Sequence, residues 1–121
     1  MERVEGLATG AQWKRAYDEI NEFERSLTDD GAIVVKLWME IDRDEQLRRF
    51  IDRAEDPKKE WKLTADDWRS RQRWDGYTEA VEEMLARTST KRARWTVVEG
   101  NDKNFARLKT LRTVLDETED L

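Results

Sequence analysis

The amino-acid sequence predicts an α/β fold in which two parallel strands are surrounded mostly by helices. Two short runs rich in β-branched and aromatic residues, 32–41 (AIVVKLWMEI) and 95–99 (WTVVE), are typical of strands. Apolar residues at helical spacing fill the chain before, between and after these runs. Strands separated by helices pair in parallel, so the order helix, strand, helical segment, strand, helix indicates part of a doubly wound sheet.

The first helix is predicted to begin at about Gly10, because Thr9 and Gln12 have capping-box spacing. Gly31 should end it as a left-handed cap. Its apolar stripe, expected to be core, consists of Trp13, Ala16, Tyr17, Ile20, Phe23 and Leu27.

The first strand is almost continuously apolar, as in a strand buried on both faces. Lys36 interrupts it and is expected to have a structural role or to make a contact at a strand end. Asp42 and Glu45 are spaced to cap the next helix. That helix should bury Leu47, Phe50, Ile51 and Ala54.

The stretch 56–85 carries three tryptophans interleaved with lysines and arginines. Asp56-Pro57 suits a helix start, and Thr64 with Asp67 predicts a second start near Ala65. One helical face, predicted to be core, then continues to about residue 87 through Trp74, Tyr77, Val81, Met84 and Leu85. Trp61 and Trp68 lie off this face, so internal packing and ligand contact both stay open for them. The cations fit either a polyanion-binding surface or a solvated helix pair.

A basic loop at 87–94 precedes the second strand, and the turn 100–102 is predicted to cap a last helix. The apolar side of that helix consists of Phe105, Leu108, Leu111 and Leu115, and the tail after Asp116 is expected to fray.

Composition limits the chemistry that the chain can carry. The 121 residues suit one domain. Because a hydrophobic content of 37% is low for a self-sufficient core, we expect the helices to pack against a partner or against other parts of a larger domain. The chain has no Cys and no His, hence no thiol nucleophile and no imidazole base. No apolar run reaches the ~20 residues of a membrane span, and the N-terminus has no signal pattern, so a cytoplasmic location is expected. The net charge of −5 includes local basic stretches that permit an anion site.

No complete catalytic constellation is present in the sequence. The phosphate loop GxxxxGK[ST], a Ser-His or Cys-His pair and HExxH are all absent. Five spaced motifs nevertheless resemble one family: FE..L...G, EQ..RF..R, DP.K.WKL, W..Y..A...M...T.T and W.VV...DK..ARL. Together they make residues 3–115 similar to the C-terminal half of the second polyphosphate kinase family, which includes polyphosphate:AMP phosphotransferases.

The resemblance implies a partial P-loop kinase-like fold, similar to thymidylate kinase, with a helical lid at about 55–88. Members move a phosphoryl group between polyphosphate and nucleoside mono- or diphosphates, with Mg²⁺. Residues 1–121 would form the C-terminal part of one such domain, without the Walker A and Walker B segments. We therefore expect no catalytic residue and no bound metal in this chain, which should be inactive alone.

Carried over residue by residue, the resemblance predicts two groups of binding residues. Phosphate contacts are predicted for Arg49, Arg53, Lys59, Lys62 and Arg71, and nucleotide contacts for Trp95, Asn101, Asp102, Lys103 and Arg107. Where the family has Ala-Pro-Trp, this chain has Ala93-Arg94-Trp95, which loosens the turn before the strand.

Three functions remain open at this point. The favoured one is a fragment of a polyphosphate-dependent nucleotide kinase whose partners are inorganic polyphosphate and nucleotide. The alternative is a non-catalytic binding or oligomerisation module, because an exposed sheet edge and a lean core suit a homo-oligomer. Nucleic-acid binding by the Trp/Lys/Arg stretch is disfavoured by the acidic balance, and no membrane partner is expected.

Overall fold

The computed structural model describes residues 1–119. Five α-helices and two strands follow one another as α1 (Gly10–Asp29), β1 (Lys36–Glu40), α2 (Arg43–Glu55), α3 (Ala65–Gln72), α4 (Trp74–Thr88), β2 (Trp95–Glu99) and α5 (Lys103–Thr118). A short 3₁₀ turn, Glu60–Lys62, lies between α2 and α3. Residues 1–8 form hydrogen-bonded turns in which the Leu7 amide donates to the Glu2 carbonyl at 2.7 Å.

The two strands pair in parallel, with Lys36 opposite Trp95 and Glu40 opposite Glu99. This confirms the predicted α/β architecture. The predicted first strand was too long, and its burial on both faces was wrong, since Met39 and Glu40 are exposed. Among the described residues β1 has one strand neighbour, so its other edge and part of its faces stay open.

Local capping signals are confirmed at the helix starts. Thr9 and Thr64 form complete capping boxes with Gln12 and Asp67. Asp42 accepts a hydrogen bond from the Glu45 amide and begins α2. At the end of α1, Gly31 has φ +92°, a conformation that costs glycine little and other residues much.

The helix predicted to begin at Asp56-Pro57 does not form. Asp56 ends α2 instead, and its carboxylate accepts the Lys58 amide at 2.9 Å in a turn. The Thr64 capping box starts a new helix only eight residues later, which leaves room for a single 3₁₀ turn. At the other end of the chain, α5 continues to Thr118, so the fraying predicted after Asp116 does not begin there; Asp120 and Leu121 lie outside the described residues.

The buried core is small, with Tyr17, Phe50, Ala93 and Val98 as its apolar members. Trp68, which is 39% exposed, packs edge-on against the core residue Phe50, with the two ring centroids 5.1 Å apart. The prediction that the apolar stripe of α1 is core was largely wrong, and the apolar side of α5 is exposed as well. Exposed members of these stripes within residues 1–119 are Ile20, Phe23, Leu27, Phe105, Leu108, Leu111 and Leu115. Periodicity identifies the side of a helix that is suited to burial, and here the described elements cover only part of that side.

Lys36 has the structural role expected of it. Its ammonium lies 2.9 Å from Glu24 of α1, donates to the Thr88 carbonyl at the end of α4, and sits 4.8 Å from the Trp95 ring centroid. One buried lysine thus joins α1, β1, α4 and β2. None of the described helices is long and apolar enough to cross a membrane.

Candidate anion-binding site

The carboxyl ends of β1 and β2 meet at one edge of the sheet, where α2 and α5 begin. Ligands of parallel α/β proteins bind at such edges. Two loops form the edge here, 41–42 after β1 and 100–102 after β2. Four residues of the predicted nucleotide group, Asn101, Asp102, Lys103 and Arg107, lie in the second loop or in the first turns of α5.

Gly100 allows these two loops to approach closely. Its amide donates to the Glu40 carbonyl at 2.6 Å. A Cβ at this position would lie 3.2 Å from both the Glu40 carbonyl oxygen and the Ile41 Cγ2. The backbone therefore favours glycine here for space, although its φ is not positive.

The two loops are also tied together through side chains. Asn101 donates from Nδ2 to Asp42 at 2.7 Å and accepts the Asp42 amide at 3.2 Å. The hydrogen bond from the Glu45 amide, reinforced by Asn101, lowers the pKa of Asp42. Asp102 accepts the amides of Asn104 and Phe105 and caps α5. In this structure Asn101 and Asp102 therefore organise the edge.

Arg49 reaches the same edge from α2. Its Nη2 donates to the Gly100 carbonyl at 2.6 Å, and its Nε donates to Glu45 at 2.9 Å. Hydrogen bonds from Arg48, opposed by burial and reinforced by Arg49, lower the pKa of Glu45 to about 2. Glu45 is thus a permanent carboxylate near neutral pH and holds the Arg49 guanidinium in place.

An open cavity of about 590 Å³ at this edge brings together one predicted phosphate residue, Arg49, and two predicted nucleotide residues, Lys103 and Arg107. The rest of the lining is apolar or small: Met39, Ile41, Gly100, Ala106, Thr110 and Leu111. No carboxylate lines the cavity. Lys103 and Arg107, together with Arg49, whose charge Glu45 partly offsets, offer cationic donors that suit a phosphate or another multivalent anion.

The other four predicted phosphate residues lie between α2 and α4 and do not line this cavity. Arg71 is tied to the first turn of α2, where its Nη1 donates to the Arg43 carbonyl at 2.6 Å. Arg53, in the last turn of α2, is half-buried. Lys59 and Lys62 are exposed, and neither makes an ion pair with any residue that the structure describes. The residues predicted to bind phosphate are therefore divided in the structure: Arg49 lines the cavity, and the other four lie away from it.

Comparison with known proteins identifies the family. The sequence model of the polyphosphate kinase 2 (PPK2) family matches residues 1–121. The chain belongs to the PPK2 family. It is 52% identical over 119 residues to a polyphosphate:AMP phosphotransferase of Pseudomonas aeruginosa, covering 98% of this chain and 24% of that protein. It is 44% identical over 117 residues to ADP-polyphosphate phosphotransferase 2 of Rhizobium meliloti, covering 97% and 38%.

The fold agrees with this membership. A crystal structure of polyphosphate kinase 2 from Arthrobacter aurescens superimposes with a TM-score of 0.92 at 40% identity, over 97% of this chain and 41% of that one. The resemblance drawn from the five motifs is therefore confirmed, and so is the partial α/β kinase fold. The chain spans about a quarter of the length of its P. aeruginosa relative.

Within this PPK2 chain, Trp95 stands apart from the other predicted nucleotide residues. It begins β2 and therefore lies at the opposite, amino edge of the sheet. Its indole Nε1 donates to the Thr88 hydroxyl at 2.7 Å, and Lys36 lies over its ring. These contacts are those of a packing residue, and a nucleotide contact by Trp95 stays a prediction.

Trp61 and Trp68, left open between packing and ligand contact, differ in the structure. Trp68 packs on Phe50. Trp61 is 75% exposed, donates to the Lys58 carbonyl at 3.0 Å, and has the Lys62 ammonium 5.6 Å from its ring centroid.

Sequence reasoning missed an ionic cluster at the N-terminal turn, residues 1–8. Glu5 contacts Arg69, Arg73 and Tyr77, while Arg3 contacts Tyr17 and Glu83. The run ERVEG carries no periodicity, and its partners lie 14 to 80 positions away in the sequence. No local signal in the sequence therefore indicates that this run forms an ionic cluster.

Proposed function

We propose that this chain supplies the phosphate-binding cations, and part of the nucleotide pocket, of a polyphosphate-dependent nucleotide kinase. The observation that carries the proposal is the cavity with Arg49, Lys103 and Arg107 at the carboxyl edge of the parallel strands, in a chain of the PPK2 family. Curated relatives are named for transfer between polyphosphate and AMP or ADP. The acid-free lining suits the phosphates of either substrate.

In phosphoryl transfer a protein acts mainly by positioning the phosphates and by stabilising their charge. Arg49 suits this role, because Glu45 and the Gly100 carbonyl fix two sides of its guanidinium and direct the remaining donors. Lys103 and Arg107 add charge from the first two turns of α5. In the proposal, Arg49 orients a phosphoryl group, and the two α5 cations neutralise the nucleotide phosphates beside it.

The segment at about 55–88 is proposed as the lid of this kinase. Lys59 and Lys62 are exposed at the 3₁₀ turn, and Trp61 beside them is mostly exposed. Such side chains can contact a polyanion without first breaking an internal ion pair. Arg53 and Arg71 would act from the base of the lid, where Arg71 already bridges α3 and α2.

Mg²⁺ is implied by the resemblance to the family. Among residues 1–119 no group of three or more carboxylates is placed to hold a metal ion. We assign Mg²⁺ no step here. What the chain's own residues do is bind anions, orient them and balance their charge.

The test is a titration of tryptophan fluorescence with long-chain polyphosphate at low and moderate salt. We expect saturable quenching that weakens as salt rises, because the contacts are ionic. The variant Lys59→Ala/Lys62→Ala should lose most of the response. Lys91→Ala/Arg112→Ala, which removes the same charge from exposed positions outside the lid, should keep it.

A parallel assay of phosphoryl transfer from polyphosphate to AMP and ADP should show no turnover by the 121-residue chain. Quenching that is absent at low salt, or equal loss in both double variants, would contradict the binding proposal. Turnover would contradict only the proposed inactivity of the chain alone.

The proposal also includes that the chain forms a homo-oligomer and is located in the cytoplasm. The exposed apolar sides of α1 and α5 favour association of the chain. Sedimentation velocity across a hundredfold concentration range tests this, and a monomer at every concentration would count against it. An assembly module without a kinase role is less favoured, because every relative named above is a phosphotransferase or a polyphosphate kinase.

A further inference from the structure

Glu5 occupies a small site made of cationic and hydroxyl donors. Its carboxylate accepts Arg73 Nη1 at 2.7 Å and the Tyr77 hydroxyl at 3.1 Å, and Arg69 Nε lies 3.6 Å away. The Glu5 side chain is only 11% exposed. Two guanidinium groups and one hydroxyl thus surround Glu5 at the junction of α3 and α4, and one of these groups, that of Arg69, also holds Asp66 in an ion pair.

The N-terminal turn that carries Glu5 is anchored by further contacts, one of them from the site itself, where Arg73 Nη1 also donates to the Val4 carbonyl at 3.2 Å. Arg3 donates to Glu83 at 2.6 Å and to the Tyr17 hydroxyl at 3.2 Å, and its guanidinium lies 3.9 Å from the Trp13 ring centroid. Val4 packs closely on the first turn of α4, since a Cβ at Gly76 would lie 3.3 Å from its Cγ1. The turn therefore holds α1 and α4 together while Glu5 fills the donor site.

The donors around Glu5 suit a tetrahedral oxyanion better than a carboxylate. A phosphoryl group presents more acceptor oxygens and more charge to two guanidinium groups and a hydroxyl. Arg69 and Arg73 also belong to the segment proposed above as the lid. Their side chains are 47% and 44% exposed, so solvent and solutes reach them even while Glu5 is bound.

We infer that Arg69, Arg73 and Tyr77 form a second oxyanion site, which Glu5 fills as an internal competitor and which a phosphoryl chain takes over. The choice of a phosphoryl chain as ligand rests on the proposed function. The carboxylate has the advantage of being tethered, whereas a polyphosphate brings several charges that neighbouring lid cations share. The exchange should therefore favour longer chains and lower salt.

The experiment is calorimetric titration of tripolyphosphate into the wild-type chain, Glu5→Gln, Glu5→Gln/Arg73→Gln and Glu2→Gln. Removing the competing charge should tighten binding about tenfold, the gain expected when Glu5 leaves the site free about a tenth of the time. Glu2→Gln is the matched control, because Glu2 is a neighbouring exposed acid whose only ion pair in residues 1–119 is with the chain's own amino terminus. Adding Arg73→Gln should abolish the gain.

A second measurement uses the unaltered chain, in case Glu5→Gln loosens the fold. Hydrogen exchange of the peptide 1–8 should accelerate when tripolyphosphate saturates the protein, since displacing Glu5 frees the turn. Equal affinity of wild type and Glu5→Gln for tripolyphosphate, or unchanged hydrogen exchange at saturation, would overturn the inference. The proposed function would still stand in that case, provided that the wild-type chain binds tripolyphosphate. If no form binds tripolyphosphate, both proposals fail.

Discussion

Replacing Lys36 by methionine removes the charge at the point where α1, β1, α4 and β2 meet. Lys36 is 7% exposed and Glu24, its partner at 2.9 Å, is 13% exposed. The Thr88 carbonyl, which also accepts from Lys36, belongs to a fully buried residue. Methionine keeps nearly the same length and volume, so the change tests charge and hydrogen bonding rather than shape.

The expected cost follows from what the substitution leaves behind. An uncompensated buried carboxylate costs about 3–5 kcal/mol when its partner is removed. Lys36→Met should therefore destabilise the chain by about 4 kcal/mol. In Lys36→Met/Glu24→Met no charge remains, and only the Thr88 carbonyl loses its donor, so the loss should fall to about 1–2 kcal/mol.

Urea denaturation followed by far-ultraviolet circular dichroism measures both values. At about 0.05 kcal/mol per residue, the low end of the usual range, a chain of this length has about 6 kcal/mol of stability. Because the buried core is small, the free energy of unfolding of the wild-type chain is measured first and sets the range in which the variants are compared. Lys91→Met, at an exposed lysine, is the control and should change stability by less than about 0.5 kcal/mol. A cost below about 1 kcal/mol for Lys36→Met, or no recovery in the double variant, would refute a buried ion pair at this junction.

Three further predictions concern single positions. Glu45→Gln should lower the free energy of unfolding at neutral pH, and this loss should shrink as pH falls from about 4.5 toward about 2. The reason is that a carboxylate whose pKa is depressed in the folded state stabilises the fold only where it is ionised. Urea midpoints measured across this pH range test the prediction, and a loss that does not depend on pH would contradict it. Gly100→Ala should cost about 1–3 kcal/mol, because the new Cβ would lie 3.2 Å from the Glu40 carbonyl oxygen and from Ile41 Cγ2, which must shift to make room. Gly10→Ala, with open space at the start of α1, should cost nothing, and equal thermal midpoints for the two variants would contradict the close approach. Thr64→Ala should cost about 1 kcal/mol and speed hydrogen exchange at the start of α3, while Ser70→Ala should not; exchange that matches in both would argue against the capping box.

Local signals in the sequence predicted local structure well. The capping pairs at Thr9, Asp42 and Thr64 placed three helix starts, since a cap is decided within four residues. The start predicted at Asp56 failed for the same kind of reason. Asp-Pro also suits a turn, and the competing capping box eight residues later left no length for a helix.

Burial was predicted less well, because periodicity describes one helix at a time. Phe23 and Leu111 keep the spacing of core residues, yet they are 66% and 63% exposed. Their apolar sides lack a covering element within residues 1–119, and no pattern inside α1 or α5 can reveal that. The burial of Lys36 was equally invisible, since it depends on Glu24 and Thr88, which lie 12 and 52 positions away.

The same distinction applies to the candidate site. The motifs supplied the residue types, and Arg49 and Lys103 do line one cavity. What the sequence could not show is which cations already have partners. Arg71 is committed to α2, Arg69 and Arg73 face Glu5, and Lys59 and Lys62 have no ion pair in the described chain.

That difference determines how each cation should respond to a polyanion. A cation without an internal partner can bind at once, limited by salt screening. A cation that already holds a carboxylate must first exchange it, so its contribution depends on how that carboxylate is held. Polyphosphate should therefore reach Lys59 and Lys62 at lower concentration than it reaches Arg73. The order of binding is thus set by the ionic partners of the lid residues and not by the number of charges that they carry.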